Sequence, residues 1–258
     1  MKKYIILFLV HLFNLNANAF TLSSNTSQLK GWKDDPIVYH LNPANCRADI
    51  GEIIQASMDM WNSISSSRLK LEIGTTTAAT VAQAVALTTP ETAVILCDSA
   101  FGTTFTSDPN VTSGVGSSIY NSSFEIRRGY LVLNAQSGAI ANFNNLNTNS
   151  AKIIMTHELG HTLGLGHSSD SSAMMHYTVG NKTEFTLSED DINGMNYLYP
   201  RNELSADQFM GGCALVKSNT SLPPLLPSSR QIILFCAIFL MMATLWLQLR
   251  KKLSITRK

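Results

Sequence analysis

The second half of the chain contains three histidines and a glutamate close together. Histidine side chains can bind a metal ion, and a glutamate beside them can exchange a proton with a metal-bound water. Residues 157–167 read HELGHTLGLGH. His157 and His161 are four residues apart, so in a helix their imidazole rings project from one face and can hold a single ion. Glu158 follows directly and is offset around the helix, which predicts contact with a metal-bound water rather than with the metal.

A glycine between the second and third histidines allows the chain to turn back. Gly164 can adopt a left-handed conformation that residues with a Cβ resist, and this turn would bring His167 to the same ion. Three neutral histidines leave one tetrahedral position open for water, which is typical of catalytic zinc sites. A closed structural site usually fills that position with cysteine, and none lies near this segment. The spacing therefore predicts Zn²⁺ held by His157, His161 and His167.

The same residues resemble a known family. Segment 157–167 matches the metzincin zinc signature HExxHxxGxxH at every fixed position, and Ser168 and Asp170 extend it as in the matrixins, the matrix-metalloproteinase group. Met175 stands eight residues after the third histidine, where matrixins place the methionine of their Met-turn. The later LSEDDINGMNYLYP resembles the matrixin C-terminal helix. The resemblance covers roughly residues 32–200.

This resemblance implies a fold and an activity. A matrixin-like chain is a zinc-dependent metalloendopeptidase of the α+β class, with a mixed, five-stranded sheet, an active-site helix and a C-terminal helix. Its edge strand, expected here at 114–120, pairs with an extended protein or peptide substrate. Glu158 is expected to take a proton from the zinc-bound water that attacks the scissile carbonyl. Met175 is expected to pack as an apolar floor beneath the histidines.

Two alternatives accompany this interpretation. The Met-turn reads Met175-His176-Tyr177, closer to the Met-His-Tyr of astacins, in which the tyrosine can reach the zinc. Tyr177 is thus either a transition-state or fifth-ligand contact, or a plain wall residue. The alternative to an enzyme is a membrane-tethered, non-catalytic zinc-binding protein or adhesin with a protease-like fold. The presence of Glu158 disfavours this non-catalytic alternative, because a protein without catalytic turnover has no structural need for this residue.

Hydrophobic periodicity predicts the elements that must position these side chains. A helix with an apolar stripe is predicted over 49–63, a second from about Ser150 to Leu163 carries two histidines, and a third covers 187–199. Five strands are predicted, at 36–41, 69–73, 93–97, 114–120 and 126–134, the last two as a hairpin. This mixture of helices and strands favours a single α+β domain over residues 20–204.

Polar residues predict where two of the helices begin. Asn149 is predicted to be the N-cap of the histidine-bearing helix, because an asparagine side chain can accept a hydrogen bond from a free backbone N–H of the first turn. Ser188 and Asp191 predict a capping box at the start of the last helix, although aspartate replaces the usual glutamate or glutamine.

The charge distribution argues against nucleic acid as a partner. The 258-residue chain has 19 basic and 18 acidic residues, a formal net charge of +1. All 18 acidic residues but only 12 of the basic ones fall within residues 20–249, which gives that part a net charge of −6. A mildly acidic body does not suit a polyanion. The remaining basic residues flank apolar runs at the two ends, which indicates a membrane instead.

Both ends of the chain have the composition of targeting segments. Residues 1–19 contain two lysines, a short apolar run and a final Ala-Asn-Ala, which predicts a signal peptide cleaved after Ala19. Residues 231–249 carry no charge and precede a basic tail at 250–258, which predicts a transmembrane helix with a cytoplasmic C-terminus. Residues 205–230 are expected to form a stalk. The catalytic domain is thus expected outside the cytoplasm, at the cell envelope or cell surface.

The C-terminal region has a second interpretation. Met210-Gly211-Gly212-Cys213, a Pro/Ser-rich spacer, the apolar run and the basic cluster follow one another. This order resembles the tripartite sorting signals of some bacterial envelope proteins, in which a membrane protease removes the helix. A C-terminal processing protease would then be a partner and the domain would be released. The other interpretation is a permanent single-pass anchor with a flexible Gly-Gly joint.

Cysteine usage fits an oxidising compartment in part. Cys46 and Cys97 lie in the body of the chain and can form a disulfide there. Cys213 stands alone after the folded region, and Cys236 lies in the apolar run. The four cysteines do not have the spacing of a zinc site, which leaves the histidines as the predicted metal ligands.

Overall fold

The computed structural model describes residues 20–201 apart from residue 25. Among these residues, no helix is both long enough and apolar enough to span a bilayer. Four predicted segments lie outside them and stay predictions: the signal peptide (1–19), the stalk (205–230), the transmembrane helix (231–249) and the basic tail (250–258).

One mixed sheet forms the framework of the described domain. Its strands are β1 (Lys30–Trp32), β2 (Ile37–Leu41), β3 (Leu71–Ile73), β4 (Ala93–Asp98), β5 (Gly114–Tyr120) and β6 (Glu125–Asn134). The order is β1–β6–β4–β2–β3 with parallel neighbours, and β5 pairs antiparallel with β6 as the predicted hairpin. β5 has no other partner strand among the described residues, so it is an edge strand, as predicted.

The sheet has one strand more than the five predicted. β1 pairs with the first residues of β6, Glu125 and Ile126. Three residues are too few to show a strand pattern in the sequence. Long-range contacts decide the conformation instead: Trp32 is fully buried, and its indole N–H donates a 2.9 Å hydrogen bond to the Thr162 carbonyl. The prediction of five strands was wrong because this strand depends on partners about a hundred residues away.

Within the described residues, five α-helices pack on the sheet. Their bounds are α1 (Ile50–Asn62), α2 (Val81–Val85), α3 (Phe101–Thr104), α4 (Thr148–Thr162) and α5 (Glu189–Leu198). The predicted apolar stripe of α1 is buried, and its Trp61 indole N–H donates to the Thr156 carbonyl of α4 at 3.0 Å. The main core contains side chains of β2, β4, β6, α1, α4 and α5, while alternate residues of β4 and β6 join a smaller core with α2 and α3. The class is α+β, as predicted.

The histidine-bearing helix α4 begins two residues earlier than predicted. Its N-cap is Asn147, whose side-chain oxygen accepts a 2.9 Å hydrogen bond from the Ser150 N–H. Asn149, the predicted cap, instead donates its side-chain amide to the Thr183 carbonyl at 2.9 Å. Both asparagines can cap a helix. The contact of Asn149 with Thr183 joins residues 34 apart, so sequence neighbours do not reveal it.

A disulfide ties the helical layer to the centre of the sheet. It joins Cys46, which lies shortly before α1, to Cys97 in β4, with their Cα atoms 5.3 Å apart. The two cysteines are 51 residues apart in sequence. The bond therefore fixes the entry into α1 against a fully buried strand.

Candidate metal centre

Helix α4 places two histidines with defined ring orientations. His157 and His161 lie one turn apart, and each ring is held through Nδ1 by a backbone carbonyl. The distances are 2.8 Å from His157 Nδ1 to the Met174 oxygen and 2.9 Å from His161 Nδ1 to the Leu165 oxygen. A carbonyl can only accept, so each Nδ1 carries the hydrogen and each neutral ring presents the lone pair of Nε2. This is the form in which histidine binds a metal.

The third histidine reaches the same point after a tight reversal of the chain. Gly164 has φ +106°, a backbone conformation that glycine adopts readily and other residues do not. The Leu165 N–H then donates back to the Gly160 carbonyl at 3.0 Å, which closes the end of α4. His167 Nε2 lies 3.2 Å from His161 Nε2. The reversal that was predicted at Gly164 is therefore the one that the structure has.

The donor set fits a tetrahedral cation. His161 Nε2 lies 3.2 Å from both His157 Nε2 and His167 Nε2, and all three ligand atoms lie within 4.8 Å of one another. Two unprotonated nitrogens at this distance turn their lone pairs toward each other, which is unfavourable unless a cation lies between them. Two nitrogens bound to one tetrahedral zinc at 2.0–2.1 Å are about 3.4 Å apart. The observed spacing therefore matches a zinc coordination shell.

The surroundings keep the three rings neutral. Burial, together with the neighbouring His161, lowers the pKa of His157 to about 3. Burial also lowers the pKa of His161 to about 4, and burial and His176 lower the pKa of the more exposed His167. Neutral imidazoles are the metal-binding form, so no proton has to be displaced at neutral pH.

Glu158 lies in the same cavity as the histidines. It is almost fully buried, and its Oε2 accepts a 2.6 Å hydrogen bond from the Gly116 N–H of the edge strand β5. Burial raises the pKa of the Glu158 carboxyl to about 7, against the opposing effect of that hydrogen bond. Gly116 is packed so closely on α4 that a Cβ would collide with the Glu158 carbonyl. The edge strand and the carboxylate thus hold each other in place.

The Met-turn that follows His167 packs against helix α4 next to the histidines. Met175 is 2% exposed and packs against Gly160 of α4, where a Cβ would collide with its sulfur. The Met174 and Met175 N–H groups donate to the two oxygens of Asp191 at 2.7 and 3.0 Å. The capping box of Ser188 and Asp191 at the start of α5 is confirmed. One carboxylate therefore caps α5 and holds the turn whose Met174 carbonyl orients His157.

The contact of Asp191 with the Met-turn was not predicted from the sequence, which indicated only a capping role for this residue. A signal was present, because aspartate stands where a capping box usually has glutamate or glutamine. The shorter side chain keeps the carboxylate close to the helix start, where it also receives the two N–H groups of the turn.

Tyr177 lies on the rim of the cavity. Its side chain is 66% exposed, and its ring packs on His176 with centroids 4.3 Å apart. It lines the same cavity as the three histidines. Both a transition-state contact and a wall position remain as predictions for this residue.

Two adjoining cavities form a cleft that runs along β5 past the histidines. The larger, of about 550 Å³, lies between residues 111–116 and the segment 177–181. Among the described residues, Glu158 is the one acidic side chain that lines this cavity, and no lysine or arginine does so. The second, of about 420 Å³, shares Gly116, His161 and His167 with the first and extends to residues 21–23. The three histidines therefore lie on the wall of a cleft bordered by the outer side of β5.

Comparison with known proteins agrees with this geometry. A family model described as matrixin matches residues 31–200, about two thirds of the chain. Human matrilysin is 54% identical over 52 residues, 19% of this chain and 20% of the relative. Rat matrilysin is 50% identical over 54 residues, 20% of each chain, and matrix metalloproteinase-18 of Xenopus laevis is 47% identical over 53 residues, 19% of this chain and 11% of the relative. The matched segments thus span a fifth or less of these relatives' lengths, whereas the family model spans most of the described domain. The chain belongs to the matrixin family.

Proposed function

We propose that this chain is a zinc-dependent metalloendopeptidase that hydrolyses peptide bonds in proteins or peptides. The observation that carries the proposal is the convergence of three histidine Nε2 atoms beside a buried glutamate, in a cleft bordered by a free strand edge. Membership of the matrixin family supports it. His157, His161 and His167, which line the cleft, would hold the zinc.

Glu158 would act as the general base and then as the general acid. Zinc bound by the three histidines would supply a Lewis acid and would lower the pKa of a bound water to about 7. The Glu158 carboxylate would take the proton released from the attacking water and deliver it to the leaving nitrogen. The Gly116 N–H on Oε2 fixes the direction of that carboxylate, and burial keeps its proton affinity high enough for both steps.

The edge strand β5 would bind the substrate backbone. Its outer side faces the cleft, because β6 occupies the other side. An extended peptide can add to such an edge through main-chain hydrogen bonds, with alternate side chains entering pockets. The larger cavity has apolar walls at Ile154 and Val179, and within the described part of the chain it has no lysine or arginine, so it favours an uncharged side chain.

We further propose that the domain works outside the cytoplasm. The Cys46–Cys97 disulfide supports this location, since such bonds persist in oxidising compartments. The composition of residues 1–19 and 231–249 supports export and a membrane anchor, and a processing protease that removes the anchor would convert the protein to a secreted form. Intact mass of the protein isolated from its native source separates these forms. A dominant species that retains Lys258 would exclude processing.

The activity is tested by comparing Glu158→Gln with the unchanged chain on a mixed peptide library. We expect the variant to keep stoichiometric zinc and lose cleavage by at least the ~10²–10⁴-fold that general-base help contributes. Glu52→Gln, which removes an exposed carboxylate from α1, is the matched control and should cleave normally. A zinc-loaded, folded chain that cleaves no library peptide would favour the non-catalytic alternative. Near-normal turnover in Glu158→Gln would refute the mechanism.

A further inference from the structure

The segment at residues 20–23 pairs directly with the loop that carries the third histidine. Leu22 forms an antiparallel bridge with Leu165. The Ser23 N–H donates to the Gly164 carbonyl and the Gly166 N–H to the Thr21 carbonyl, both at 2.8 Å. Phe20, at the start of the segment, packs on Tyr197 of α5 with ring centroids 5.4 Å apart. We refer to residues 20–23 as the clamp segment.

The clamp segment also contacts His167 itself. The Thr21 hydroxyl donates a 2.6 Å hydrogen bond to the His167 carbonyl. Gly166 is enclosed at the same point, because a Cβ there would lie 2.5 Å from the Thr21 Oγ1 and 2.6 Å from the Leu22 carbonyl oxygen. The Thr21 hydroxyl and the main-chain hydrogen bonds of the clamp segment thus hold the backbone of residues 164–167.

His167 needs this support more than the other two ligands do. The rings of His157 and His161 are each oriented by a carbonyl on Nδ1, and both residues belong to a packed helix. His167 is exposed and lies in a loop, and among the described residues its Nδ1 has no such partner. Its position is therefore set by its backbone.

That backbone is held from two sides. On the C-terminal side, the Ser168 N–H donates to the Met175 carbonyl at 2.7 Å, so the Met-turn fixes the residue after His167. On the N-terminal side, the clamp segment fixes residues 164–167 through the contacts described above. Removal of either support would let the loop move and would raise the entropy lost when His167 joins the metal.

We propose that the clamp segment positions His167 for zinc binding, with Thr21 as the positioning residue. The inference rests on the zinc site of the proposed function. Outer contacts that orient a metal ligand are typically worth 10–100-fold in metal affinity. Thr21 touches no zinc-binding atom, so its effect passes through the His167 backbone.

The test measures zinc affinity of the full-length protein without substrate, by competition with a chelator of known affinity. Thr21→Val keeps the shape of the side chain and removes the donor, so zinc affinity should fall by about tenfold or more. Thr21→Ser keeps the hydroxyl and should restore wild-type affinity. Thr26→Val is the matched control: among the described residues its hydroxyl accepts a hydrogen bond from the nearby Gln28 N–H and has no other partner, so zinc affinity should not change. Cobalt substitution adds a spectroscopic readout, since a displaced third ligand would alter the visible spectrum in Thr21→Val but not in Thr26→Val.

The outcomes separate this inference from the proposed function. Equal zinc affinity in Thr21→Val and the wild type, or an equal loss in Thr21→Val and Thr26→Val, would overturn the clamp. A wild-type chain that binds no zinc would overturn the proposed function and the clamp together. Thermal unfolding of the zinc-free variants checks that the fold is intact, and coincident curves would assign the loss of affinity to the ligand loop.

Discussion

At the scale of single residues, the metal centre depends on one backbone conformation. His161 lies at the end of α4 and His167 lies beyond the reversal, so the angle at Gly164 decides whether the two rings meet. The site around Gly164 is also closed: a Cβ would lie 3.0 Å from Ile126 Cδ1 and 3.2 Å from Leu198 Cδ1. Both the angle and the space therefore require glycine.

We expect Gly164→Ala to lower the free energy of unfolding by at least about 1–2 kcal/mol, because a Cβ is disfavoured at positive φ. It should also weaken zinc binding, because relief of the strain shifts His167. Gly51→Ala is the control. Gly51 is an exposed residue of α1 with no atom within 4 Å of an added Cβ, so this change should raise the free energy of unfolding by up to about 1 kcal/mol. Urea unfolding measures the stability of the two variants, and competition with a chelator measures their zinc affinity. Equal stabilities for the two would contradict the role given to Gly164.

At the scale of elements, α5 supports the site without contributing a ligand. The Asp191 carboxylate receives four donors: the Ser188 N–H and hydroxyl at the helix start, and the Met174 and Met175 N–H groups of the Met-turn. The Met174 carbonyl in turn orients the His157 ring. A C-terminal helix is thus linked to the first ligand through a single side chain.

Asp191→Ala should therefore cost more than loss of a helix cap. Removal of the carboxylate leaves two buried N–H groups of the Met-turn without a partner, and we expect a loss of about 2–4 kcal/mol together with weaker zinc binding. Ser188→Ala removes only the cap hydroxyl and should cost about 1 kcal/mol with zinc affinity unchanged. Denaturant midpoints and chelator competition on both variants provide the comparison. If Asp191→Ala were no worse than Ser188→Ala, the link to the Met-turn would be energetically irrelevant.

The disulfide between the loop before α1 and strand β4 is a second link between elements. Cross-linking two cysteines 51 residues apart restricts the unfolded chain, which in the chain-entropy description is worth roughly 4 kcal/mol. We expect the double variant Cys46→Ala, Cys97→Ala to unfold at a correspondingly lower urea concentration. Its zinc affinity should be unchanged, because among the described residues neither cysteine lines the cavities that hold the three histidines. A double variant as stable as the oxidised wild type would show that the bond contributes little to stability.

At the scale of the whole molecule, the metal centre joins segments from most of the described chain. The clamp segment, the edge strand β5, helix α4, the Met-turn and Asp191 of α5 all contact the ligands or the residues that hold them. A ligand that binds only the folded state stabilises it. Zinc is therefore expected to act on global stability as well as on activity.

Removal of zinc should lower the melting temperature. With free zinc at a thousandfold excess over Kd, binding contributes about 4 kcal/mol, and in a domain of this size each kcal/mol shifts Tm by about 2–4 °C. We therefore expect a fall on the order of 10 °C when a chelator is added, measured by circular dichroism. Glu158→Gln should show the same fall because its ligands are intact, whereas His161→Ala should show almost none. A chelator-independent Tm in the wild type would contradict metal binding at this site.

Features that depend on residues close together in the chain could be predicted from the sequence. The ring positions of His157 and His161 follow from helical spacing, the hairpin at 114–134 from two apolar runs around a short turn, and the box of Ser188 with Asp191 from a three-residue separation. In each case the partners lie within a few turns or across one tight turn. Local geometry then leaves few alternatives.

Features whose partners are distant in sequence became visible only in the folded domain. β1 pairs with Glu125 and Ile126 of β6, and Asn149 donates to the distant Thr183 carbonyl while Asn147 caps α4. The contact of Thr21 with His167 joins residues 146 apart. Such contacts depend on which surfaces the folded chain brings together, and a short polar or three-residue segment fits many surfaces equally well. Only packing of the whole domain selects one of them.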